Sequence, residues 1–150
     1  MRVWSWLAVL VSFLAVGALA SAQRGPAQSG VVHVDAAAVA AALAKGGSLV
    51  TRPDLLVSGS HREKGGEAEV HDKETDVLYI VDGAATFVVG GKLVGGKSPR
   101  PDQWLGTDIS GGETRQLVKG DVIVVPAGVP HWFKEVPKSV SYFVVKVLKP

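Results

Sequence analysis

Cysteine is absent from the 150 residues of this chain. Disulfide bonds, thiolate metal ligands and cysteine nucleophiles are therefore excluded. A metal ion, if one is bound, would have to be held by the nitrogen and oxygen atoms of histidine, aspartate and glutamate. The fold must be stabilised by its apolar core, which a chain of this length can form without covalent cross-links.

Clusters of positive charge are also lacking. The chain carries 16 Lys and Arg against 14 Asp and Glu, a formal net charge of +2, and its basic residues are dispersed. Proteins that follow a phosphate backbone concentrate Lys and Arg on one face. We therefore expect no nucleic acid among the partners.

A long apolar run occurs only near the N-terminus. Residues 6–20 are apolar except for Ser12 and Gly17, Arg2 precedes them, and small residues at a cleavage-type site end at Ala22. This pattern predicts a secretory signal peptide over residues 1–22, and hence a secreted or periplasmic protein. The alternative is a membrane anchor, but the run of about 15 residues is shorter than the roughly 20 of a membrane span. No stable membrane span is expected after cleavage.

The segment that follows is of low complexity. Residues 23–30 are rich in Gly, Pro, Ser and Gln, and a flexible leader is predicted over residues 23–34. The rest of the chain, residues 35–150, has the length of a single domain.

A short helix is predicted at the start of this domain, over residues 35–47. Asp35 is a typical N-cap, and the alanine-rich run after it ends at Lys45. Gly46 and Gly47 then stop the helix.

From residue 48 onward the pattern is that of β structure. Short runs rich in Val, Ile, Leu, Tyr and Phe alternate with turns, so the chain is predicted to be all-β, a sandwich or barrel. Asp82 and Gly83 indicate a tight hairpin, and the Gly- and Pro-containing residues 94–112 indicate a long loop of unknown role. The predicted strands are residues 55–59, 68–71, 77–81, 84–89, 115–118, 122–125, 131–136 and 140–148.

Two histidines and two acidic residues lie where these strands could bring them together. Glu69 and His71 share one strand face because side chains alternate. Asp76 follows a short turn, so a hairpin would return it beside His71. With His131 from a later strand, two imidazoles and one carboxylate would form a facial metal site with open positions, and Glu69 could add a fourth ligand.

The segment around His131 has a regular layout. Gly120 and Asp121 precede a four-residue apolar strand, Pro126 and Gly128 form a turn, and His131 follows. It resembles the second motif of the cupin superfamily, G-x5-P-x-G-x2-H-x3-N, with Glu135 in the place of Asn.

The first cupin motif, G-x5-H-x-H-x3-4-E-x6-G, is matched less completely. His71 stands at its second His, Asp76 at its Glu and Gly83 at its last Gly. Glu69 stands where the first His is expected, and the initial Gly is displaced, since the nearest are Gly65 and Gly66.

The resemblance implies a cupin-type double-stranded β-helix, a jelly-roll barrel, preceded by the short helix. It also implies a divalent metal (Mn, Fe, Ni, Cu or Zn) held by His71, Asp76, His131 and, by substitution, Glu69. The alternative is a barrel that has lost its metal and uses these groups for hydrogen bonding. Cupin barrels often pair through edge strands, so a homodimer is also expected.

Three further residues are candidates for the cavity around such a site. His61 precedes the first motif and would orient a ligand if it faced inward. Trp104, in the long loop, would form a wall of the pocket. Arg115 would meet an anionic substrate.

Two functions fit these observations. One is a small-molecule metalloenzyme of the dioxygenase, decarboxylase or isomerase type, with Glu69 as general base if it is not a ligand. The other is a module that binds a small ligand without turnover, with or without metal. The sequence alone does not decide whether the protein is an enzyme, because one fold hosts many functions.

Overall fold

Strands account for most of the computed structural model, which describes residues 30–149. The predicted signal peptide and most of the predicted leader lie outside these residues. The described part contains one helix and twelve strands, with these bounds: α1 Ala36–Lys45, β1 Gly47–Thr51, β2 Leu55–Arg62, β3 Ala68–His71, β4 Glu74–Val89, β5 Lys92–Val94, β6 Lys97–Arg100, β7 Gln103–Gly106, β8 Asp108–Ser110, β9 Glu113–Val118, β10 Val122–Val125, β11 His131–Glu135 and β12 Val140–Leu148. The prediction of an all-β protein with a short N-terminal helix is confirmed.

Helix α1 begins and ends at the residues that the sequence indicates. The Asp35 carboxylate accepts a hydrogen bond from the Ala38 amide at 2.8 Å, which satisfies one of the unpaired N–H groups of the first turn. Gly46 ends the helix at a φ of 76°, a conformation that glycine adopts without strain. Ala42 is buried against Gly59 of β2, where a Cβ would lie 2.8 Å from that of Ala42. A glycine there allows the helix to pack closely on the barrel.

Antiparallel pairing arranges the strands in two layers joined by β4. One layer has the order β1-β2-β12-β4, with β10 also paired to β4. The other has the order β4-β11-β3-β7-β6, with β9 also paired to β4. Strand β4 belongs to both layers because it is 16 residues long. Residues 32–149 belong to one compact unit.

The predicted hairpin at Asp82 and Gly83 is wrong. Strand β4 continues through both residues, and its register with β12 shifts here, since Ser141 pairs with Asp82 while Tyr142 pairs with Ile80. Gly83 has a φ of 80°, which fits the glycine position of a β-bulge. The glycine that indicated a turn therefore bends β4 instead, so that this strand passes from the first layer into the second.

The predicted long loop over residues 94–112 is also wrong. This segment contains β6, β7 and β8, and β8 pairs with β5. These strands are only three or four residues long and β6 is fully exposed, so they lack the apolar alternation by which strands are recognised. Strand β7 pairs with β3 and extends the second layer beside the candidate ligands.

The space between the layers is filled by apolar side chains along most of its length. Ile80 and Phe87 of β4 are fully buried, and Phe133 stacks at 4.8 Å on the ring of Tyr142. A second, smaller cluster of Ala68, Val88 and Ile109 lies apart from this core. Among residues 30–149, no helix is both long enough and apolar enough to cross a membrane.

Candidate metal centre

Strand β3 presents two of the predicted ligands to the interior. Glu69 and His71 are two residues apart and therefore share one face of the strand. His71 is buried, with 4% of its surface exposed, and Glu69 is partly exposed. The strand lies between β11 and β7, where Glu69 pairs with His131 and His71 pairs with Gln103.

His131 is oriented by the turn that precedes β11. The amide of Gly128 donates to the carbonyl of His71 at 2.8 Å, which connects the turn to β3. Nδ1 of His131 lies 3.1 Å from the carbonyl oxygen of Val129. Because a carbonyl can only accept, Nδ1 carries the proton, and Nε2 of the neutral ring offers its lone pair. A ring held through one nitrogen while the other is available is typical of metal-binding histidines.

Asp76 reaches the same place from the opposite layer. It lies on β4 and is buried, with 4% of its surface exposed. Its register partner on β12 is Lys146, whose ammonium lies 2.9 Å from both carboxylate oxygens of Asp76. Lys146 also donates to Glu74 at 2.8 Å. Glu74 and Asp76 share one face of β4, so a single ammonium connects two carboxylates.

Four short separations surround one point in the interior. Nε2 of His71 lies 3.6 Å from a Glu69 oxygen and 3.7 Å from Asp76 Oδ2. Nε2 of His131 lies 3.7 Å from the other Glu69 oxygen and 3.7 Å from Asp76 Oδ2. Donor atoms at about 2.1 Å from a tetrahedral ion are separated by roughly 3.4 Å. His71, His131 and Glu69 therefore form one group with spacing suited to a divalent ion, and His71, Glu74 and Asp76 form a second. Asp76 adjoins the first group because its Oδ2 lies 3.7 Å from both imidazoles.

The environment of Nδ1 of His71 supports an orientation in which Nε2 faces the centre of the site. Nδ1 is buried and has no hydrogen-bond partner in the described part of the chain. It lies 3.5 Å from Glu74 Oε2, slightly too far for a good bond. A shift of a few tenths of an ångström would let Nδ1 donate to Glu74 and present the lone pair of Nε2 to the centre. The donor set thus fits a divalent metal.

Burial and Lys146 shift the pKa values of two residues at the site, His71 and Glu74. Burial lowers the pKa of His71, and the charge of Lys146 lowers it further, although Asp76 and Glu69 oppose this. Burial raises the pKa of Glu74, but the hydrogen bond and charge of Lys146 outweigh it and leave the pKa lowered. These directions favour a neutral His71 beside an ionised Glu74, and metal binding requires a neutral imidazole.

Acidic and basic side chains are equal in number around the site. The acidic ones are Glu69, Glu74 and Asp76, and the basic ones are Arg62, Arg100 and Lys146. Lys146 contacts Glu74 and Asp76 directly, whereas Arg100 approaches Glu74 only to 3.9 Å and is largely exposed. Glu69 has no basic partner of this kind and lies beside the two imidazoles.

A cavity of about 210 Å³ opens onto the cluster. Charged, polar and apolar side chains all line this cavity. Its lining residues are Ser60, Arg62, Glu69, His71, Asp76, Leu78, Arg100, Gln103, His131, Phe133, Tyr142, Val144 and Lys146.

Three residues predicted near the site lie elsewhere. His61 alternates with the lining residues of β2, and its Nδ1 bonds to Ser141 at 2.8 Å. Trp104 lies on the opposite face of β7 from Gln103 and donates to Asp72 at 2.9 Å.

Arg115 lies in a separate cavity of about 400 Å³ beside β9 and β10. Its guanidinium bonds to Glu113 at 2.8 Å. The structure therefore does not place Arg115 with the candidate ligands.

Four residues of the site were not predicted from the sequence: Glu74, Lys146, Arg62 and Gln103. For two of them, the sequence contains a feature that could have indicated their role. Glu74 lies two residues before Asp76 and so shares its strand face. Lys146 interrupts an otherwise apolar strand, which is typical of a charge with a partner. Arg62 had no comparable signal, and Gln103 lay in the segment interpreted as a loop.

Comparison with known families assigns the fold. A family profile described as Cupin matches residues 63–150, which are 88 of the 150 residues and more than half of the chain. The chain belongs to the cupin family. The resemblance inferred from the two motifs is confirmed, and the match covers all four predicted ligands. Comparison with curated proteins finds no match.

Two of the solved structures that this chain resembles, with a TM-score of 0.50, support the assignment of the fold. A conserved protein of unknown function from Streptococcus pyogenes is 22% identical, with a TM-score of 0.49, covering 69% of this chain and 72% of its own. KdgF from Halomonas sp. is 18% identical, with a TM-score of 0.50 and coverage of 69% and 79%. The cupin domain of Cnp3 from Schizosaccharomyces pombe is 15% identical, with a TM-score of 0.50 and coverage of 69% and 59%. At these identities the similarity concerns the fold only.

Proposed function

We propose that this cupin binds one divalent transition metal through His71, His131, Glu69 and Asp76. The observation that supports this is the convergence of both Nε2 atoms on the two carboxylates at 3.6–3.7 Å. Nitrogen and oxygen donors of this kind suit Mn, Fe, Ni, Cu or Zn.

We further propose that the metal and the cavity act together on a small molecule, as in a dioxygenase, decarboxylase or isomerase. A metal bound here would supply Lewis acidity next to a cavity that admits a small ligand. Glu69 is the most exposed of the four donors, with 23% of its side chain accessible. If Glu69 is not a metal ligand, its carboxylate could accept a proton from the bound small molecule as a general base.

The experiment is elemental analysis of the purified mature protein after reconstitution with each of the five metals, followed by a turnover screen. We expect about one metal ion per chain, and none in His131→Ala. His33→Ala is the matched control because His33 is exposed and lies outside the cluster. Full metal occupancy in His131→Ala would contradict the ligand assignment.

A second function, a metal-free module that binds a small ligand, is favoured by one specific observation. The Lys146 ammonium already contacts both oxygens of Asp76 at 2.9 Å, so a built-in cation partly neutralises the cluster. If the protein is such a metal-free module, no metal would bind under any reconstitution condition. The affinity for the small ligand would then not respond to chelators. The metal analysis separates the two functions.

We also propose that the protein is exported, on the basis of the apolar run and cleavage-type site within residues 1–22. Mass spectrometry of the protein from its producing cells tests this. We expect an exported form that begins near Gln23. A cytoplasmic protein that retains residues 1–22 would contradict export.

Pairing of two copies stays a prediction. Strand β10 pairs only with β4 among the described strands, and it exposes Val122 and Val124 by 62% and 55%. An edge strand with exposed valines favours association with another chain. Light scattering coupled to size exclusion would show a dimer, and Val124→Lys would convert it to a monomer.

A further inference from the structure

Arg62 differs from the other arginines of residues 30–149 in having no carboxylate partner. Arg52 pairs with Asp54 at 3.6 Å, Arg100 with Glu74 at 3.9 Å, and Arg115 with Glu113 at 2.8 Å. The guanidinium of Arg62 forms no ion pair with a described acidic side chain, although it lines the same cavity as the metal cluster.

The guanidinium of Arg62 is nevertheless held in place. Its Nε donates to the hydroxyl of Tyr142 at 2.8 Å, and its central carbon lies 5.1 Å from the ring centroid of Phe133. Both aromatic residues are buried, with 4% of their surfaces exposed. A guanidinium fixed through Nε and stacked on an aromatic face keeps its terminal N–H groups for a planar, two-oxygen anion.

The neighbouring side chains add a second polar wall. Arg100 donates from Nε to Gln103 Oε1 at 2.6 Å, and both residues line the cavity. Leu78 and Val144 line it between the polar groups. A molecule in this cavity therefore meets the anionic cluster, cationic side chains and an apolar surface. The volume of about 210 Å³ corresponds to roughly seven water molecules.

We propose that Arg62 binds the carboxylate of a small organic acid whose second oxygen group faces the cluster of Glu69, His71, Asp76 and His131. This names the ligand class for the cavity and rests on the proposed function for the role of the cluster. The contact between guanidinium and carboxylate itself needs no metal. The role expected of Arg115 from the sequence is therefore assigned to Arg62.

The test is calorimetric titration of the protein with lactate, pyruvate and malonate, and with lactamide as the uncharged counterpart of lactate. We expect at least one of the three acids to bind. If lactate binds, it should bind about tenfold or more tightly than lactamide. Arg62→Gln should weaken acid binding by about tenfold or more, and Arg62→Lys by less, because a lysine keeps the charge but loses the paired contact. Arg115→Gln is the matched control and should bind as the wild type does.

Circular dichroism of each variant separates loss of the contact from loss of the fold. Should Arg62→Gln not fold, Tyr142→Phe supplies the second variant, since it removes only the hydroxyl that holds Nε. We expect an intermediate loss of acid binding from it. Unchanged acid affinity in folded Arg62→Gln, or absence of binding by every acid to the wild type, would overturn the proposal.

The titrations are run on chelator-treated and metal-reconstituted protein, with metal content measured separately. Acid binding that depends on Arg62 in protein without metal would support this inference even if metal binding fails. One metal per chain with no acid binding would overturn this inference and leave the metal assignment intact. The two proposals can therefore fail independently.

Discussion

The interior of this barrel has two regions of opposite character, built by the same strands. Strand β4 contributes Ile80 and Phe87 to an apolar core and Asp76 to a buried group of charges a few residues away. The apolar core gains free energy from burial alone. The charged region must offset the desolvation of three carboxylates, one ammonium and two imidazoles. A fold that keeps such a region is expected to use it, because replacement by apolar groups is often neutral or stabilising.

The largest expected effect comes from the apolar region. Ile80 is fully buried in the main core, so Ile80→Ala should lower the free energy of unfolding by about 3–4 kcal/mol through lost burial and a residual cavity. Denaturant unfolding measures the change. Metal content per folded chain should stay as in the wild type. Loss of metal binding in folded Ile80→Ala would show that the two regions are not separable.

The next largest effect is expected in the charged region. Lys146→Met removes the ammonium that contacts Glu74 and Asp76 and leaves two largely buried carboxylates without it. We expect the metal-free protein to lose about 3 kcal/mol of stability. Zn²⁺ should then stabilise the variant more than it stabilises the wild type, because the cation replaces the missing charge. Thermal unfolding with and without Zn²⁺ measures both quantities.

The matched control for Lys146→Met is Lys119→Met. Lys119 lies 4.0 Å from Asp82, and both side chains are about three-quarters exposed. An exposed pair of this kind contributes less than about 1 kcal/mol. Equal effects of the two substitutions would mean that burial of the Lys146 pairs has no energetic consequence.

The smallest effect concerns pH. Burial and the charge of Lys146 hold the pKa of His71 below its ordinary value of 6.5. Below pH 6.5 the unfolded chain therefore binds a proton that the folded chain does not, so stability falls as the pH decreases through this window. We expect a loss of about 1 kcal/mol or less over one pH unit.

Calorimetric melting of chelator-treated protein between about pH 7.5 and pH 5.5 measures this slope. His71→Asn should make the slope shallower, since it removes the titrating ring. An unchanged slope in that variant would assign the pH dependence to other groups.

The two regions also differ in how far the sequence predicts them. The apolar strands β10 and β12 were predicted with their observed bounds, because runs of valine and aromatic residues are typical of strands. The donor set of Glu69, His71, Asp76 and His131 was predicted from the two motifs, and the structure brings these side chains together. The identity of the metal was not predicted, because these donors suit several ions.

Asp76 lies near His71, as the sequence indicated, but not for the reason expected. A hairpin between β3 and β4 was expected to place it beside His71, but the pairs formed by β3 are with β11 and β7. Asp76 instead faces His71 from the opposite layer of the barrel. Lys146 joins it through a pairing between residues 70 positions apart. Local patterns do not specify partners at that separation, so the charged region could be predicted only in part.

The most direct test of the account is the anomalous-difference map of crystals grown with Zn²⁺ and measured at the zinc edge. We predict one peak in the cavity, about 2.0–2.2 Å from Nε2 of His71, Nε2 of His131, one oxygen of Glu69 and one oxygen of Asp76. His131→Ala crystals should lack the peak. Wild-type crystals with no zinc at these four side chains would contradict the metal centre.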